Sequence, residues 1–241
     1  MNIQIFVCFH KQIFPELYEI SKIEQDNYLT YYGVKDNYED TTRNIIYEYN
    51  LAHYNANLQK KKYNEGSCIY HVYKNNLYNK YNYIGFCQYD MKFQQNVFKN
   101  IEYKIMYNSN TIFYLDFFQW AFLGGQTTIT EDYYNVPAGL NNYNKFFNKN
   151  YTTKQLISNK MIICNTFIIS KQMYEKMMSW LIQYFIDDIN VLSISSSGHR
   201  FDPGHMIEAL TSMFLSLEIN EGAKYEKIDI THNQDFKNVC Y

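Results

Sequence analysis

The sequence is poor in the residues and patterns that mark linkers, membrane spans and nucleic-acid-binding surfaces. Its 241 residues include only three prolines and nine glycines, and no segment is repeated or of low complexity. The formal net charge is -2, and no basic stripe follows the chain, which argues against a nucleic-acid partner. The sequence predicts neither a transmembrane segment nor a signal peptide, because long apolar runs and a basic N-terminal region are missing.

The spacing of the cysteines indicates no pairs. The five cysteines include no CxxC pair, and an odd number cannot be wholly paired within one chain. Buried free thiols are typical of reducing compartments. We therefore expect a cytoplasmic protein without disulfides.

What the sequence does have is an alternation of short apolar runs with helical patterns. Apolar residues make up 46% of the chain, enough for one domain over residues 1–241. We predict strands at 2–9, 30–33, 83–87, 111–118, 160–170 and 228–230. We predict helices at 43–62, 65–75 and 171–188, and one around Met206 to Leu217. Such alternation indicates an α/β fold with a mostly parallel central sheet flanked by helices.

Polar residues cluster where the predicted strands end. Open parallel sheets bind ligands beyond the carboxyl ends of their strands. The segments at those ends are Phe9-His10-Lys11, Tyr32-Gly33, Gln88-Tyr89-Asp90 and His232. An aspartate after a buried strand is a candidate ligand for a divalent cation, although aspartate is equally common in plain turns.

Four blocks of the sequence resemble a known family. They are IFVCFHK (5–11), EGSCIYHVYKN (65–75), YIGFCQYDMKF (83–93) and NTFIISKQMYEKMMSWL (165–181). Their order and spacing are similar to those of a glycosyltransferase family found in bacterial capsule and lipopolysaccharide gene clusters and in some large viruses. The resemblance covers most of residues 3–217. It implies a single GT-A-like nucleotide-binding domain, in the bacterial cytoplasm or in the host cytoplasm of a virus.

The resemblance also implies an activity. A sugar would pass from a nucleoside-diphosphate sugar, expected to be UDP-linked, to a glycan acceptor with the help of Mn²⁺ or Mg²⁺. The implied metal ligands are Asp90, Gln88 and His232. The implied nucleotide-binding residues are Phe9, His10, Lys11, Tyr32, Gly33, Gln88 and Tyr89. The sequence departs from the family at Gln88, which replaces a histidine, and at Asp90-Met91, which replace paired arginines.

A catalytic base is expected near the start of the helix that contains Met206. Asp202-Pro203 is typical of an N-cap followed by the first helical residue. Asp202 could deprotonate the acceptor hydroxyl, as such a carboxylate does in inverting enzymes of this fold.

Other residues compete with Asp202 or could assist it. Asp116 and Glu131-Asp132 are alternative carboxylates, and Glu65 could cap its helix or meet a sugar hydroxyl. His199 and Arg200 could meet phosphate, whereas His205 and Glu208, one helical turn apart, could meet the acceptor or a metal.

Two other functions stay open. The first is a nucleotide-sugar- or glycan-binding module that kept the fold without turnover, and Gln88 in place of an acidic residue favours it. The second is a sugar nucleotidyltransferase, which is less favoured because residues 6–15 (FVCFHKQIFP) lack a glycine-rich basic loop. The sugar, the acceptor, the stereochemical outcome and the oligomeric state do not follow from the sequence.

Overall fold

A seven-stranded sheet forms the centre of the structure, a computed structural model that describes residues 2–10, 13–34, 45–115, 117–119, 136–157, 160–162, 165–187 and 203–232. In chain order the strands are β1 (Ile3–Phe9), β2 (Leu29–Gly33), β3 (Ile45–Tyr47), β4 (Tyr83–Gln88), β5 (Met91–Phe93), β6 (Thr111–Tyr114), β7 (Phe117–Gln119), β8 (Lys160–Ile162), β9 (Phe167–Ser170), β10 (Lys224–Lys227) and β11 (Ile230–His232). The order across the sheet is β10-β6-β9-β4-β1-β2-β3. Only β9 is antiparallel to its neighbours in this sheet.

Helices cover both faces of the sheet. They are α1 (Lys22–Tyr28), α2 (Ala56–Lys60), α3 (Glu65–Lys74), α4 (Val97–Tyr107), α5 (Val136–Phe147), α6 (Thr153–Ile157), α7 (Lys171–Leu181), α8 (Gln183–Ile186) and α9 (Pro203–Asn220). Short 3₁₀ turns lie at Pro15–Leu17 and Glu48–Asn50. Within the described ranges, no helix is long and apolar enough to cross a membrane.

Strand β1 is the centre of the core. All seven of its residues are buried, because helices cover both faces of the sheet at this position. Successive side chains point to opposite faces, so Phe6 and Cys8 belong to a larger core with α3, α7 and α9. Val7 and Phe9 belong to a second core with α1 and α4.

The predicted α/β class with a mostly parallel sheet is confirmed. Strands β1, β2 and β4 and helix α3 lie where the sequence predicts them. Helix α9 begins at Pro203, as the Asp-Pro pair predicts.

One predicted helix is wrong. Residues 45–47, inside the predicted helix 43–62, form edge strand β3, and only Ala56–Lys60 of this segment are α-helical. Ile45, Ile46 and Tyr47 are β-branched and aromatic residues, which suit a strand, and Ile45 pairs with Tyr31 of β2.

Three predicted strands have different bounds. The single strand predicted over 160–170 is divided into β8 and β9, and the one over 111–118 into β6 and β7. The predicted strand 228–230 overlaps only the first residue of β11.

The packing of β4 predicts an intolerant glycine. Gly85 lies opposite Ile5 on one neighbour and Ile168 on the other. A Cβ at Gly85 would stand 2.7 Å from Ile168 Cγ1, 3.0 Å from Ile5 Cγ1 and 3.2 Å from the Phe167 carbonyl oxygen. We expect Gly85→Ala to lower the free energy of unfolding by about 1–3 kcal/mol through overpacking, measured by urea denaturation.

Gly139→Ala is the matched control. A Cβ there would meet mainly the tip of a flexible side chain, Leu210 Cδ2 at 2.6 Å, and alanine also favours the helix. The control should cost less than Gly85→Ala. Equal stability of the two variants would contradict the packing argument.

Candidate active site at the carboxyl edge of the sheet

Three parallel strands bring their carboxyl ends to one edge of the sheet. Cys8 of β1 is paired with Tyr32 of β2 on one side and with Gln88 of β4 on the other. The residues that follow β1 and β4 are in contact, because the ring centroids of His10 and Tyr89 lie 5.0 Å apart in an edge-to-face arrangement. Two of the predicted nucleotide-binding residues therefore share one surface.

A two-stranded extension brings the C-terminal strand to the same edge. Strand β5 follows β4 after a two-residue turn that contains Asp90, and it pairs antiparallel with β11. In this register the Cα of His232 lies opposite Met91, the residue next to Asp90. The backbones of His232 and Asp90 therefore lie in the same neighbourhood, and their binding of a metal stays a prediction.

The N-termini of two helices complete the edge. Helix α3 leads back to the start of β4, and α9 leads back to the start of β10, so both helices begin at the carboxyl edge. They meet there, since a Cβ at Gly66 would lie 3.1 Å from Ile207 Cγ2. Helix N-termini carry partial positive charge and free N–H groups, which suit an anionic ligand.

Acidic side chains converge on this place. Burial raises the pKa of Glu65 above its ordinary value, and a hydrogen bond with its own backbone opposes that change. The negative charges of Glu208 and Asp90 raise the pKa of Glu65 further, whereas His205 lowers it. Glu65 of α3 therefore lies near enough to Glu208 of α9 and to Asp90 of the turn after β4 for their charges to affect its pKa.

The donor chemistry of this volume fits a hard divalent cation. Carboxylate oxygens are the ligands that Mg²⁺ and Mn²⁺ prefer, and a cation would relieve the repulsion between Glu65 and Asp90. In the described part of the chain, however, no group of three or more His, Cys, Asp or Glu side chains is arranged to hold a metal. Gln88, half-buried at the end of β4, adds a neutral oxygen donor.

A buried polar network fixes helix α3. The Asn55 N–H donates to Nε2 of His71 at 2.9 Å, so the proton of the neutral ring is on Nδ1. Nδ1 lies 3.1 Å from Ser67 Oγ, which donates to Glu48 Oε2 at 2.8 Å. Ser67, His71 and Glu48 are at most 1% exposed. The network ties α3, and with it Glu65, to the chain that follows β3.

The remaining predicted nucleotide-binding residues lie deeper in the structure. Phe9 and Tyr32 are buried, at 1% and 0% exposure, one in each core. The space beside Gly33 is filled by a ring, since a Cβ there would lie 2.7 Å from Tyr47 Cδ1. Gly33 is therefore required by packing, whatever its relation to a ligand.

Several predicted residues lie outside the described residues. They are Lys11, Asp116, Glu131, Asp132, His199, Arg200 and Asp202. Asp202 directly precedes Pro203, the first residue of α9. Their assignments stay predictions, as does the side-chain role of His232.

Sequence reasoning underestimated the importance of Glu65. Its only signal was its position at the start of a predicted helix, which suits a cap as well as a ligand. The structure adds the burial and the acidic neighbours that distinguish it.

The chain is similar in fold to a solved glycosyltransferase structure. It matches the apo structure of the bifunctional glycosyltransferase WbbM with a TM-score of 0.68 and 16% sequence identity over 97% of its length. The chain spans about half of that protein, 46% of its length. At this identity the match shows a shared fold. No protein-family model and no curated protein matches the chain.

Because the pKa of Glu65 is raised, we predict that replacing Glu65 with glutamine, its neutral isostere, raises the stability of the fold in a pH-dependent way. The folded chain holds the Glu65 proton more tightly than the unfolded chain, so ionisation destabilises the fold as pH rises above the ordinary carboxyl pKa of about 4.3. In chelator-containing buffer, Glu65→Gln should raise stability at pH 8 by on the order of 1 kcal/mol, or about 2–4 °C in Tm. At pH 4 the gain should vanish. A pH-independent difference would contradict the electrostatic origin.

The buried network predicts that removal of the Ser67 hydroxyl lowers the stability of the fold. Ser67→Ala removes the O–H that bonds Glu48, so we expect a loss of about 1–3 kcal/mol in the free energy of unfolding. Ser179→Ala is the control, because the exposed Ser179 Oγ bonds only a carbonyl of its own helix, that of Lys176, at 2.7 Å. It should change stability by less than about 0.5 kcal/mol. Similar losses in both variants, by chemical denaturation, would refute the network's role.

Proposed function

We propose that the chain is a glycosyltransferase that moves a sugar from a nucleoside-diphosphate sugar, expected to be UDP-linked, to a glycan acceptor. The observation that carries the proposal is the match of nearly its whole length to a glycosyltransferase structure. The location of the site supports it, because the acidic residues and two helix N-termini meet where open parallel sheets bind ligands.

The donor nucleotide would bind along the ends of β1 and β2. His10 and Tyr89 offer partly exposed rings in edge-to-face contact, which could pack against the base. The diphosphate would then lie towards the N-termini of α3 and α9, whose dipoles favour negative charge.

Asp90, Gln88 and His232 are the proposed ligands of Mn²⁺ or Mg²⁺. When bound, such a cation would offset the charge on the departing diphosphate. Asp90 would supply the anionic oxygen, and the β5–β11 register, in which His232 lies opposite Met91, supports a contribution from His232.

Asp202 is the proposed base. It would take the proton of an acceptor hydroxyl while the acceptor oxygen bonds to the anomeric carbon and the bond from that carbon to the diphosphate breaks. The helix that directly follows Asp202 in the sequence, α9, begins at the edge where Asp90 and Glu65 lie, which supports this proposal.

The alternative function is a nucleotide-sugar- or glycan-binding module without turnover. Gln88 favours it, because a neutral amide stands beside Asp90 where a further acidic ligand would strengthen a metal site. The two functions differ in one measurement, the hydrolysis of a nucleotide sugar in the absence of an acceptor.

Titration calorimetry with UDP, with and without Mn²⁺, tests the donor site. We expect Mn²⁺-dependent UDP binding, slow hydrolysis of at least one UDP-sugar, and loss of both in Asp90→Asn, with affinity falling by more than about tenfold, or 1.4 kcal/mol. Asp26→Asn is the control, since exposed Asp26 on α1 pairs only with Lys22 of the same helix, at 3.2 Å.

The outcomes separate the hypotheses. Binding without hydrolysis would identify the binding module. Unchanged Mn²⁺-dependent binding in Asp90→Asn would remove the cation site from this edge. A wild-type chain that binds no nucleotide and hydrolyses no nucleotide sugar would overturn the proposed function.

A further inference from the structure

Asn165 lies at the carboxyl edge of the sheet, just before strand β9. Phe167 of β9 is paired with Phe86 of β4, and because the strands are antiparallel, Asn165, two residues before Phe167, lies towards the end of β4 that carries Gln88. The chain after β6, the neighbour on the other side of β9, also contacts this segment, because the Leu115 N–H donates to the carbonyl of Thr166 at 3.2 Å. The segment that leads into β9 therefore lies at the edge of the sheet where β4 ends.

Two costs coincide at this residue. Its φ of 44° lies in the left-handed region, which costs a non-glycine residue about 1 kcal/mol or more. Its side chain is 6% exposed, and the buried Oδ1 accepts no hydrogen bond from any part of the chain that the structure describes. A buried acceptor without a donor costs a further ~1–3 kcal/mol.

Asn148 is another asparagine with a left-handed backbone, and in its case that conformation has an ordinary cause. Asn148 has a φ of 51° and is exposed. It directly follows helix α5, where a left-handed residue is a usual way to end a helix. Asn165 ends no helix and is buried. Strain and an unsatisfied polar atom together, at a ligand-binding edge, indicate a group held ready for a ligand.

We propose that the Asn165 side-chain carbonyl binds a hydroxyl of the sugar that is transferred. This inference rests on the proposed function. The sheet order supports the sugar rather than the nucleotide as its ligand. The base is placed at β1 and β2 and the diphosphate near Asp90, and β9 lies one strand beyond β4, about 5 Å further from β1. An uncharged acceptor suits a neutral hydroxyl, which would satisfy Oδ1.

Asn165→Gly tests this assignment without adding backbone strain. Glycine adopts positive φ freely, so we expect Tm to stay equal or rise. We expect unchanged affinity for UDP with Mn²⁺. For the nucleotide sugar that the wild type hydrolyses fastest among UDP-glucose, UDP-galactose and UDP-N-acetylglucosamine, we expect affinity and hydrolysis to fall at least tenfold.

Two further variants sharpen the result. Asn148→Gly makes the same exchange at an exposed left-handed residue and should leave binding and hydrolysis at wild-type levels. Asn165→Asp keeps an acceptor oxygen, and aspartate also tolerates this backbone, so it should lose less sugar affinity than Asn165→Gly. It also provides the comparison if the glycine variant folds poorly.

The outcomes distinguish this inference from the proposed function. If wild type binds UDP with Mn²⁺ and Asn165→Gly keeps wild-type sugar affinity, the assignment of Asn165 is overturned and the proposed function stands. Equal losses for UDP and for the UDP-sugar would also overturn it, because they would place Asn165 against the nucleotide. If the wild type neither binds nor hydrolyses any of these compounds, both fall.

Discussion

The parallel pairing of β1 with β2 and β4 is the constraint on which the candidate site depends. Parallel strands must each be followed by a return to the opposite edge, so polar residues that leave the sheet collect at one edge while the return helices begin there. The apolar run of β1, buried on both faces, keeps the pairing central. The location of the candidate site therefore follows from the topology of the sheet.

Concentrating acidic groups at that edge opposes stability. The negative charges of Asp90 and Glu208 act on the buried Glu65, whereas the hydrogen bond of Glu65 with its own backbone and the nearby His205 oppose the rise of its pKa. The Ser67–His71–Glu48 network helps the fold to tolerate this loss of stability, because its hydrogen bonds hold α3 against the turn after β3. Binding residues commonly lie where a fold accepts such local cost.

The sequence predicted the parts of the fold that are governed by local pattern. Strands β1 and β4 are continuous apolar runs, and α9 begins at the predicted Asp-Pro boundary. The 43–62 segment misled because its apolar spacing suits a helix, whereas pairing with β2 at the sheet edge selects a strand. Asp90 could be placed at this edge from the end of β4 alone. His232 comes near it through the antiparallel pairing of β11 with β5, which the predicted strand 228–230 did not anticipate. The approach of Glu65 to α9 could not be predicted, because it depends on the contact of Gly66 with Ile207, distant in sequence.

Strand β9 runs against its neighbours, and this reversal has an evolutionary consequence. A forward strand presents whatever comes after it to the substrate, but a reversed strand presents whatever comes before it. Insertions and exchanges upstream of Phe167 would therefore reshape the pocket while the amphipathic helix that follows, α7, stays anchored in the core. Under the proposed function, sequence changes before β9 would alter the contacts to the sugar and leave the proposed nucleotide-binding residues at the ends of β1 and β2 unchanged.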